Sequence, residues 1–446
     1  MDSKMPDIKE LQDLRVDSLG KCNVPTTLKK SPNHYVSDED KILVYATKRE
    51  AARFFGSKEE PPMFEAAGPR KDLFFGPCNL TCGIVTCGGL CPGLNDVIRT
   101  IVLSLKWQYG VKTVLGFRYG YEGLSSNARI KPMDMTPEVV EGIQNEGGTI
   151  LGSSRGPQDS KDIVDTLLRN DVKILFAIGG DGTFKGAHAI VQEIKKRKLD
   201  IAVIGVPKTI DNDIYCCEKT FGFSTAVEKA RESIYSAHEE AKAAWNGIGL
   251  VKLMGRDSGF IAARSTLADS DVNFCFIPEY PFALEGENGF LAKLKKRLGK
   301  RGHAVIVIAE GAGQNLISKN GVLKKDESGN VLHSDIGIFL REQIKEYLKK
   351  EKMEFSIKYI DPSYTIRSCP ANADDSIFCL MLAQNAVHAG MAGKTDMFVG
   401  YWNHQFIHVP LKVALNKRKQ VDVDGALWQI VREITTEVEH ACYSSQ

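Results

Sequence analysis

Seven short apolar runs of the chain are each followed by a glycine-bearing turn and then by a helix-like segment. From about Thr81 onward the runs read CGIVTC, TVLGF, ILFAIGG, IAVIGVP, GIGLVKLMG, FCFIPE and HAVIVIAEG. Runs that are apolar on both faces are typical of parallel strands covered by helices. The alternation of strand and helix therefore predicts an α/β fold with mainly parallel sheets.

The first seventy or so residues are polar and rich in turn-forming residues, and their apolar pieces are short. We expect an extension that packs as loops and short helices. No apolar run has the length of a membrane span, and the start MDSKMPDIKELQDLRVD lacks the apolar stretch of a secretory signal. The end HACYSSQ differs from a peroxisomal address, so we expect a cytoplasmic protein.

The composition narrows the class of function. A chain of 446 residues, 43% hydrophobic and 26% charged, is long enough for two or three domains with a sizeable core. Its 58 basic residues nearly balance 56 acidic ones, which argues against a global attraction to nucleic acid or membranes. The basic runs KKRK (195–198) and KLKKRLGKR (293–301) are interpreted as solvated helix faces.

Four cysteines, Cys78, Cys82, Cys87 and Cys91, lie within fourteen residues and raise the question of a zinc site. Structural zinc usually uses tight Cys-x2-Cys pairs, whereas these spacings are wider and CGIVTC is a predicted buried strand. We expect small core residues instead. The eleven scattered cysteines suit reduced thiols in the cytosol.

Unusual residues cluster where the predicted strands end, which is where ligands gather in such sheets. The segment CGGLCPGLNDVIRTIV (87–102) joins a glycine turn to a helix start that suits phosphate oxygens. It is neither a P-loop nor a GxGxxG motif. The alternative is that its glycines are there only to allow a tight turn.

GGDGTFKGA, which begins at Gly179, is the stronger signal. Its glycines expose backbone amides to a polyphosphate, and Asp181 can hold Mg²⁺ against the phosphates. Thr183 and Lys185 could bond the same phosphates. The alternative is that Asp181 is a helix N-cap, but an N-cap does not require glycine on both sides.

The following strand ends in GVPKTIDNDI (205–214), where Asp211 and Asp213 flank Asn212. Such a carboxylate can act as general base toward a bound hydroxyl, although two acids also occur in ordinary turns. This loop and the GGDGT loop leave successive strands, so we expect both at one cleft. Magnesium polyphosphate beside a base indicates phosphoryl transfer to an alcohol.

Further charged residues follow at later strand ends. LMGRDSGFIAA supplies Arg256, VIVIAEGAG supplies Glu310, and DPSYTIRSCPA supplies Tyr364 and Arg367. Arginine suits phosphate and glutamate suits hydroxyls, so the set fits a phosphorylated polyol. Any one of them taken alone is as readily a surface or core residue.

Six ordered motifs, GGLCPGLN, LGSSRG, GGDGT, PKTIDND, MGRDSGF and YTIR, resemble the phosphofructokinase family, which phosphorylates fructose 6-phosphate at its 1-hydroxyl. The resemblance runs from about Thr81 to beyond Arg367. GGDGT alone is also similar to NAD kinases and diacylglycerol kinases. The resemblance implies two Rossmann-like three-layer α/β/α domains, Mg²⁺ and ATP, a role in glycolysis with allosteric regulation, and a homo-oligomer, most often a tetramer.

The resemblance also implies roles for single residues. It makes Asp211 the base and Asp181 the Mg²⁺ ligand, and it puts Thr209, Lys208 and Arg256 in the catalytic centre. The residues implied to hold the nucleotide are Gly89, Tyr121, Arg155, Gly156, Gly180, Asp181, Gly182, Thr183, Lys185 and Gly186. The residues implied to hold the sugar phosphate are Thr209, Ile210, Asp211, Asp213, Met254, Gly255, Arg256, Glu310, Lys358, Tyr364, Thr365, Ile366 and Arg367.

Some positions depart from the compact bacterial pattern, since Gly247 and Lys358 replace arginines and Tyr364 replaces a histidine. With Lys208 and the long extension, the chain is similar to the long group that includes pyrophosphate-dependent enzymes and ATP-dependent enzymes of plants and trypanosomatids. Pyrophosphate users typically carry an aspartate where this chain has Gly182, which favours ATP. The alternatives are a pyrophosphate-dependent enzyme and a catalytically silent regulatory subunit.

The predicted domain organisation has four parts. Residues 1–78 form the extension, and 435–446 form a C-terminal tail. The nucleotide-binding domain comprises 79–222 and about 366–416. The sugar-phosphate-binding domain comprises 223–365 and about 417–434.

Overall fold

A computed structural model describes residues 3–11, 13–28, 35–55, 59–317 and 334–435. Within these ranges the strands are β1 (Asp17–Ser18), β2 (Val24–Pro25), β3 (Lys41–Leu43), β4 (Met63–Ala66), β5 (Asp72–Leu73), β6 (Thr81–Thr86), β7 (Thr113–Phe117), β8 (Met133–Asp134), β9 (Val172–Gly179), β10 (Ala202–Pro207), β11 (Gly247–Leu253), β12 (Phe274–Phe276), β13 (His303–Ala309), β14 (Ser356–Ile360), β15 (Lys394–Thr395), β16 (Met397–Trp402) and β17 (Gln405–Pro410).

The α-helices of the same ranges are α1 (Lys48–Ala51), α2 (Leu94–Leu103), α3 (Ser160–Arg169), α4 (Asp181–Lys196), α5 (Phe223–Lys242), α6 (Phe260–Ala268), α7 (Phe290–Arg301), α8 (Gln314–Ile317), α9 (Ile336–Lys350), α10 (Ser363–Ser368), α11 (Ala373–Met391), α12 (Leu411–Ala414) and α13 (Ala426–Thr435). Short 3₁₀ turns and one π-helical stretch are Ile8–Leu11, Ala52–Phe54, Pro77–Asn79, Ser104–Tyr109, Gly120–Leu124 and Ile143–Asn145.

The larger sheet has the strand order β3-β4-β17-β16-β10-β9-β6-β7-β8. Its central strands, from β16 to β7, are parallel, and the pairs on either side of them are antiparallel. Every residue of β10 is buried, as the apolar run IAVIGVP predicts for a strand covered on both faces. All seven predicted strands are present, and the predicted α/β class is confirmed.

The smaller sheet has the order β12-β13-β11-β14, and all its pairs are parallel. Helix α5 packs on β11, β13 and β14, while α7 packs on β13. Leu253 at the end of β11 pairs with Ala309 at the end of β13, so the loops that follow these two strands begin side by side.

The extension contributes strands as well as loops. Strand β3 pairs with β4, and β4 pairs with β17, so these two strands of the extension complete one edge of the larger sheet. The expectation of loops and short helices was therefore incomplete.

A buried charge network lies where β4 of the extension pairs with β17. Glu65 accepts hydrogen bonds from Arg70 (2.9 Å), His408 (2.8 Å) and Lys394 (3.0 Å). Burial alone would raise the pKa of Glu65, but the bonds from His408 and Lys394 bring it to about 2.

The clustered cysteines are mainly core residues. Cys82, Cys87 and Cys91 are buried, whereas Cys78 is exposed, so the core prediction is wrong for Cys78. Cys78 lies in the turn before β6, outside the buried strand that shields Cys82.

Throughout the described ranges, every helix is too short or too polar to cross a bilayer.

Candidate active site

Three loops leave one edge of the larger sheet together. In the parallel registers of β6, β9 and β10, Thr86 pairs with Ile178 and Gly179 pairs with Pro207. The segments that start at Cys87, Gly180 and Lys208 are therefore neighbours. The GGDGT and TIDND loops therefore begin side by side, as the cleft prediction requires.

The GGDGT loop runs directly into α4. The N-cap is Gly180, which makes no side-chain capping bond, and Asp181 is already the first helical residue. The N-cap alternative for Asp181 is therefore wrong. A Cβ at Gly179 would lie 2.0 Å from Thr183 Oγ1, whereas one at Gly182 would meet nothing within 4 Å. Packing requires the glycine at 179 but does not require the one at 182.

Tyr121 supports the GGDGT helix. Its buried hydroxyl donates a 2.8 Å hydrogen bond to the carbonyl of Thr183, and a Cβ at Gly186 would lie 2.6 Å from its ring. Gly186 lets α4 approach this ring. The contacts of Tyr121 hold the helix, and its contact with a nucleotide stays a prediction. Lys185, by contrast, is exposed on the first turn of α4.

Two cations border the glycine turn after β6. The buried Lys208 ammonium donates a 2.8 Å hydrogen bond to the Gly89 carbonyl, and a Cβ at Gly89 would lie 3.4 Å from a guanidinium nitrogen of Arg155. Burial lowers the pKa of Lys208, and the charge of Arg155 acts in the same direction. Gly156 has φ +103° and open space around it. A turn with exposed backbone and two close cations suits a polyphosphate.

A cavity of about 360 Å³ adjoins this turn, lined by Arg118, Tyr119, Glu122, Gly123, Arg129, Ile130, Ser153 and Ser154. Ser153 donates a 2.6 Å hydrogen bond to the carbonyl of Gly88, which ties the cavity wall to the glycine turn. The sequence prediction named none of these lining residues as ligands. The LGSSRG motif, which includes Ser153 and Ser154, was the sequence feature that could have indicated this cavity wall.

Asp211 lies where the loops of the two sheets meet. Its carbonyl accepts a 3.1 Å hydrogen bond from the Ser258 hydroxyl of the smaller sheet. Its Oδ1 is shielded from solvent and has no hydrogen-bond partner. Burial raises the pKa of Asp211 well above its usual range, and the charges of Asp213 and Glu310 raise it further. A buried carboxylate oxygen without a donor is ready to accept a proton from a bound hydroxyl.

Thr209 and Asp213 form a hydrogen-bonded pair beside Asp211. The Thr209 hydroxyl donates a 2.7 Å hydrogen bond to Asp213 Oδ1 and accepts one of 3.2 Å from the Asp211 backbone N–H. Asp213 thereby fixes the orientation of the Thr209 hydroxyl. Ile210, between them, is buried.

The edge of the smaller sheet carries the predicted sugar-phosphate residues. Because Leu253 pairs with Ala309, the loop Met254–Arg256 begins beside Glu310. Gly255 has φ +127°, and a Cβ there would lie 2.4 Å from the Ser258 carbonyl oxygen, so this tight turn requires glycine. Burial raises the pKa of Glu310, while the positive charge of Arg256 opposes that rise.

Sequence reasoning missed Lys252 in this region. Its buried ammonium contacts Asp335 (2.7 Å) and Asp361 (2.8 Å). Its charge also lowers the pKa of Glu310. A lysine inside the otherwise apolar run GIGLVKLMG was the available signal, since a buried lysine requires partners.

The YTIR motif forms helix α10. The Arg367 guanidinium lies 4.5 Å from the centre of the Tyr364 ring, which is 74% exposed, and it is close enough to lower the pKa of Glu310. Thr365 donates a 2.8 Å hydrogen bond to the Pro362 carbonyl, and Ile366 is buried. The charge of Arg367 therefore acts on Glu310, while Tyr364 is exposed.

Two positions lie apart from this cluster. Lys358 pairs in register with Gly249, four residues and about 13 Å before the end of β11. Its ammonium is 3.8 Å from Glu240, so its predicted contact with the sugar phosphate stays a prediction. A Cβ at Gly247 would lie 2.0 Å from the Ala241 carbonyl oxygen, which leaves no room for the arginine of the compact bacterial pattern.

Arg418, which sequence reasoning also missed, reaches into the cleft. Its guanidinium lies 2.8 Å from Asp181 Oδ2 and 3.6 Å from Asp213 Oδ2, and it also contacts Asp257. Burial raises the pKa of Asp181 to about 6, Asp213 raises it as well, and Arg418 opposes both. The loops thus gather carboxylates around one cation, a donor set that fits Mg²⁺.

The protein supplies few ligands for such an ion. Among the described residues, no group of three or more His, Cys, Asp and Glu side chains is arranged to hold a metal. Mg²⁺ is commonly bound by one or two carboxylates together with substrate phosphates. The position of Asp181 in the glycine turn that begins α4 fits that mode.

Comparison with known proteins defines the class to which this fold and site belong. The phosphofructokinase family model matches residues 81–390, and the chain belongs to the phosphofructokinase family. It is 48% identical to the ATP-dependent 6-phosphofructokinase of Borreliella burgdorferi, over 95% of this chain and 96% of that protein. It is 46% identical to the protein of the same name from Trypanosoma brucei brucei, over 96% and 88% of the two chains.

Two solved structures share the fold. The pyrophosphate-dependent phosphofructokinase from Marinobacter aquaeolei matches with a TM-score of 0.65 and 19% identity, over 80% of this chain and 90% of that one. The phosphofructokinase from Saccharomyces cerevisiae matches with a TM-score of 0.62 and 20% identity, over 80% and 47% of the two chains. At such identities the likeness shows the fold alone.

Proposed function

We propose that the protein transfers the terminal phosphoryl group of ATP to the 1-hydroxyl of fructose 6-phosphate, giving fructose 1,6-bisphosphate. The observation that carries this proposal is the shielded, unpartnered Oδ1 of Asp211, set between the phosphate-binding loops and the arginines of the smaller sheet. The relatives named ATP-dependent 6-phosphofructokinase, at 46–48% identity over nearly the whole chain, support the same activity.

Each part of the cleft has a role in this transfer. Lys208, Arg155 and the first amides of α4 bind the polyphosphate, while Arg256 and Arg367 bind the sugar phosphate. The oxygen of the sugar 1-hydroxyl attacks the terminal phosphorus of ATP while Asp211 accepts the proton of that hydroxyl. The bond between the terminal phosphorus and ADP breaks, and ADP leaves. Thr209, oriented by Asp213, donates its hydrogen bond beside the transferring group. Mg²⁺ held at Asp181 would neutralise charge on the phosphate oxygens.

A coupled assay tests the proposal and its alternatives together. Purified protein is supplied with fructose 6-phosphate and Mg²⁺, and separately with ATP and with pyrophosphate. We expect turnover with ATP and little with pyrophosphate. A preference for pyrophosphate would identify the pyrophosphate-dependent class, and no turnover with either donor would identify a silent regulatory subunit.

Replacing the proposed metal ligand should change the metal requirement. In Asp181→Ala, we expect a higher Mg²⁺ concentration for half-maximal rate and a lower kcat, because a carboxylate that offsets the phosphate charge is lost. The measurement is a Mg²⁺ titration at fixed ATP. Asp271→Ala, which removes an exposed carboxylate in the loop before β12, is the control. An unchanged titration in Asp181→Ala would remove the metal assignment.

Replacing Arg367 should weaken the binding of fructose 6-phosphate but not that of ATP. We expect Arg367→Ala to raise the KM for fructose 6-phosphate while the KM for ATP stays nearly constant, because the guanidinium stands at the smaller sheet with Glu310. Arg341→Ala is a matched control, since Arg341 also stacks on a tyrosine ring, at 5.8 Å from Tyr359. Equal losses for both substrates would indicate a structural role for Arg367.

The pH dependence of kcat/KM should show the ionisation of Asp211, the proposed base. Asp211 acts only when ionised, and its pKa is raised first by burial and then by Asp213 and Glu310. As the pH falls below that raised pKa, kcat/KM should fall about tenfold per pH unit. The acid limb should therefore lie above the usual carboxylate range of about 4. An acid limb that stays below pH 4 would contradict the assignment of Asp211.

Assembly and location complete the proposal. We expect a homo-oligomer, a tetramer by family resemblance, that acts in the cytoplasm on small substrates. Light scattering of the purified protein and microscopy of a tagged chain would measure the two properties.

A further inference from the structure

Arg418 belongs to a backbone strap, defined as residues Arg418–Val421, that is fixed to the loop after β10. Arg418 forms an antiparallel bridge with Ile214, and the Lys419 backbone N–H donates a 2.8 Å hydrogen bond to the Asp213 carbonyl. The Lys419 ammonium also donates to the carbonyl of Cys217 at 2.6 Å. The strap therefore has a well-defined position relative to the proposed base.

The other end of the strap is fixed to the smaller sheet. The Gln420 side-chain amide donates a 3.3 Å hydrogen bond to the Asp257 carbonyl. The Val421 backbone N–H donates one of 2.8 Å to Glu279 Oε1, which also accepts a bond from the Gly259 N–H at 3.0 Å. The strap thus crosses from one sheet to the other beside the cleft.

The guanidinium at the start of the strap contacts one carboxylate from each of three motifs. Asp181 comes from GGDGT, Asp213 from TIDND and Asp257 from MGRDSG. The 2.8 Å distance to Asp181 is that of a charge-assisted hydrogen bond. A metal bound at Asp181 would use the same negative charge at about 2.1 Å, so the two cations compete for this carboxylate.

We infer that Arg418 is a displaceable cation of the metal site. It holds Asp181, Asp213 and Asp257 together before the magnesium nucleotide binds, and it leaves Asp181 when the metal arrives. Because the same strap anchors Asp257 and Glu279, this displacement links metal binding to the loops of the smaller sheet. The inference rests on the proposed function only in placing the metal at Asp181, and the coupled assay tests that function separately.

Binding of Mn²⁺ to the purified full chain, followed by electron paramagnetic resonance without substrate, tests the inference apart from activity. We expect Arg418→Gln to bind Mn²⁺ about tenfold more tightly than wild type, the size of one lost charge-assisted bond. Arg418→Lys keeps the charge but loses the fork of donors, so its affinity should be intermediate. Arg197→Gln is the control, because it removes a surface arginine that also pairs with two carboxylates, Asp165 and Glu193.

We expect Mn²⁺ affinity to rise from wild type to Arg418→Lys to Arg418→Gln. If Arg418 had only a structural role, its loss would leave the Mn²⁺ affinity unchanged or weaken it. Equal affinities in all four proteins, including none measurable, would overturn the inference, as would weaker binding by Arg418→Gln. Thermal unfolding gives a second readout. Arg418→Gln should unfold at a lower temperature than wild type in chelator and should be stabilised more by Mn²⁺. If Arg418→Gln does not fold, the comparison of Arg418→Lys with wild type decides the question.

Discussion

Replacing Asp211 with Ser should lower kcat by about two to four orders of magnitude, the usual range for loss of a general base. Asp211 Oδ1 has no hydrogen-bond partner in the ligand-free protein, so removing the side chain breaks no bond at that atom, although the bond that the carboxylate accepts from the Arg256 backbone N–H is lost. Binding of fructose 6-phosphate should therefore largely survive. Steady-state kinetics would measure the first effect and calorimetry the second.

Two further variants separate basicity from shape at this position. Asp211→Asn keeps the size of the side chain but cannot accept the proton, so its loss of kcat should match that of Asp211→Ser. Asp165→Ser, at a carboxylate paired with Arg197 on the surface, should be fully active. Near-normal kcat in either Asp211 variant would end the assignment of the base.

Gly182→Asp should abolish most ATP-dependent activity. In the proposed function a nucleotide passes its α-phosphate by the GGDGT loop, and a carboxylate at 182 would obstruct and repel it. No protein atom lies within 4 Å of the Cβ position, so the variant should fold and any loss should come from the ligand. Pyrophosphate carries no nucleoside, so weak pyrophosphate-dependent transfer could survive or emerge. Specificity of this kind arises by obstructing one ligand rather than by improving the other.

The matched control is Gly182→Asn, which adds the same volume without the charge. If repulsion contributes, Asn should be less harmful than Asp, with both donors compared at saturating fructose 6-phosphate and Mg²⁺. Retention of ATP activity in Gly182→Asp would show that Gly182 does not select the donor.

The buried parallel strands could be predicted because each is a continuous apolar run. The pairing of β4 with β17 at the antiparallel edge could not, because these two strands are far apart in sequence. His408 in β17 is buried and bonded to Glu65 of the extension, which lies in the neighbouring strand. A polar residue in that place gives no local sign of burial.

The position of the candidate-site loops at neighbouring strand ends could be predicted because glycine and charge occur together where the apolar runs end. Arg418 was not, because it lies in the basic stretch NKRKQ, which resembles a solvated turn. Its role depends on three carboxylates at 181, 213 and 257, which only the folded chain brings together. Lys252 was missed for a related reason, since its partners Asp335 and Asp361 come from later segments.

The order of strands in the larger sheet also governs how the chain folds during synthesis. That sheet uses residues from β3 to β17, whereas the smaller sheet lies entirely between β11 and β14. The smaller sheet can therefore close while β16 and β17 have yet to be made. Glu65 precedes its partner His408 by 343 residues, which takes the ribosome on the order of tens of seconds to translate. Until then β4 lacks one of its two neighbours, β17, and the unpaired side of β4 is open to strand-to-strand aggregation.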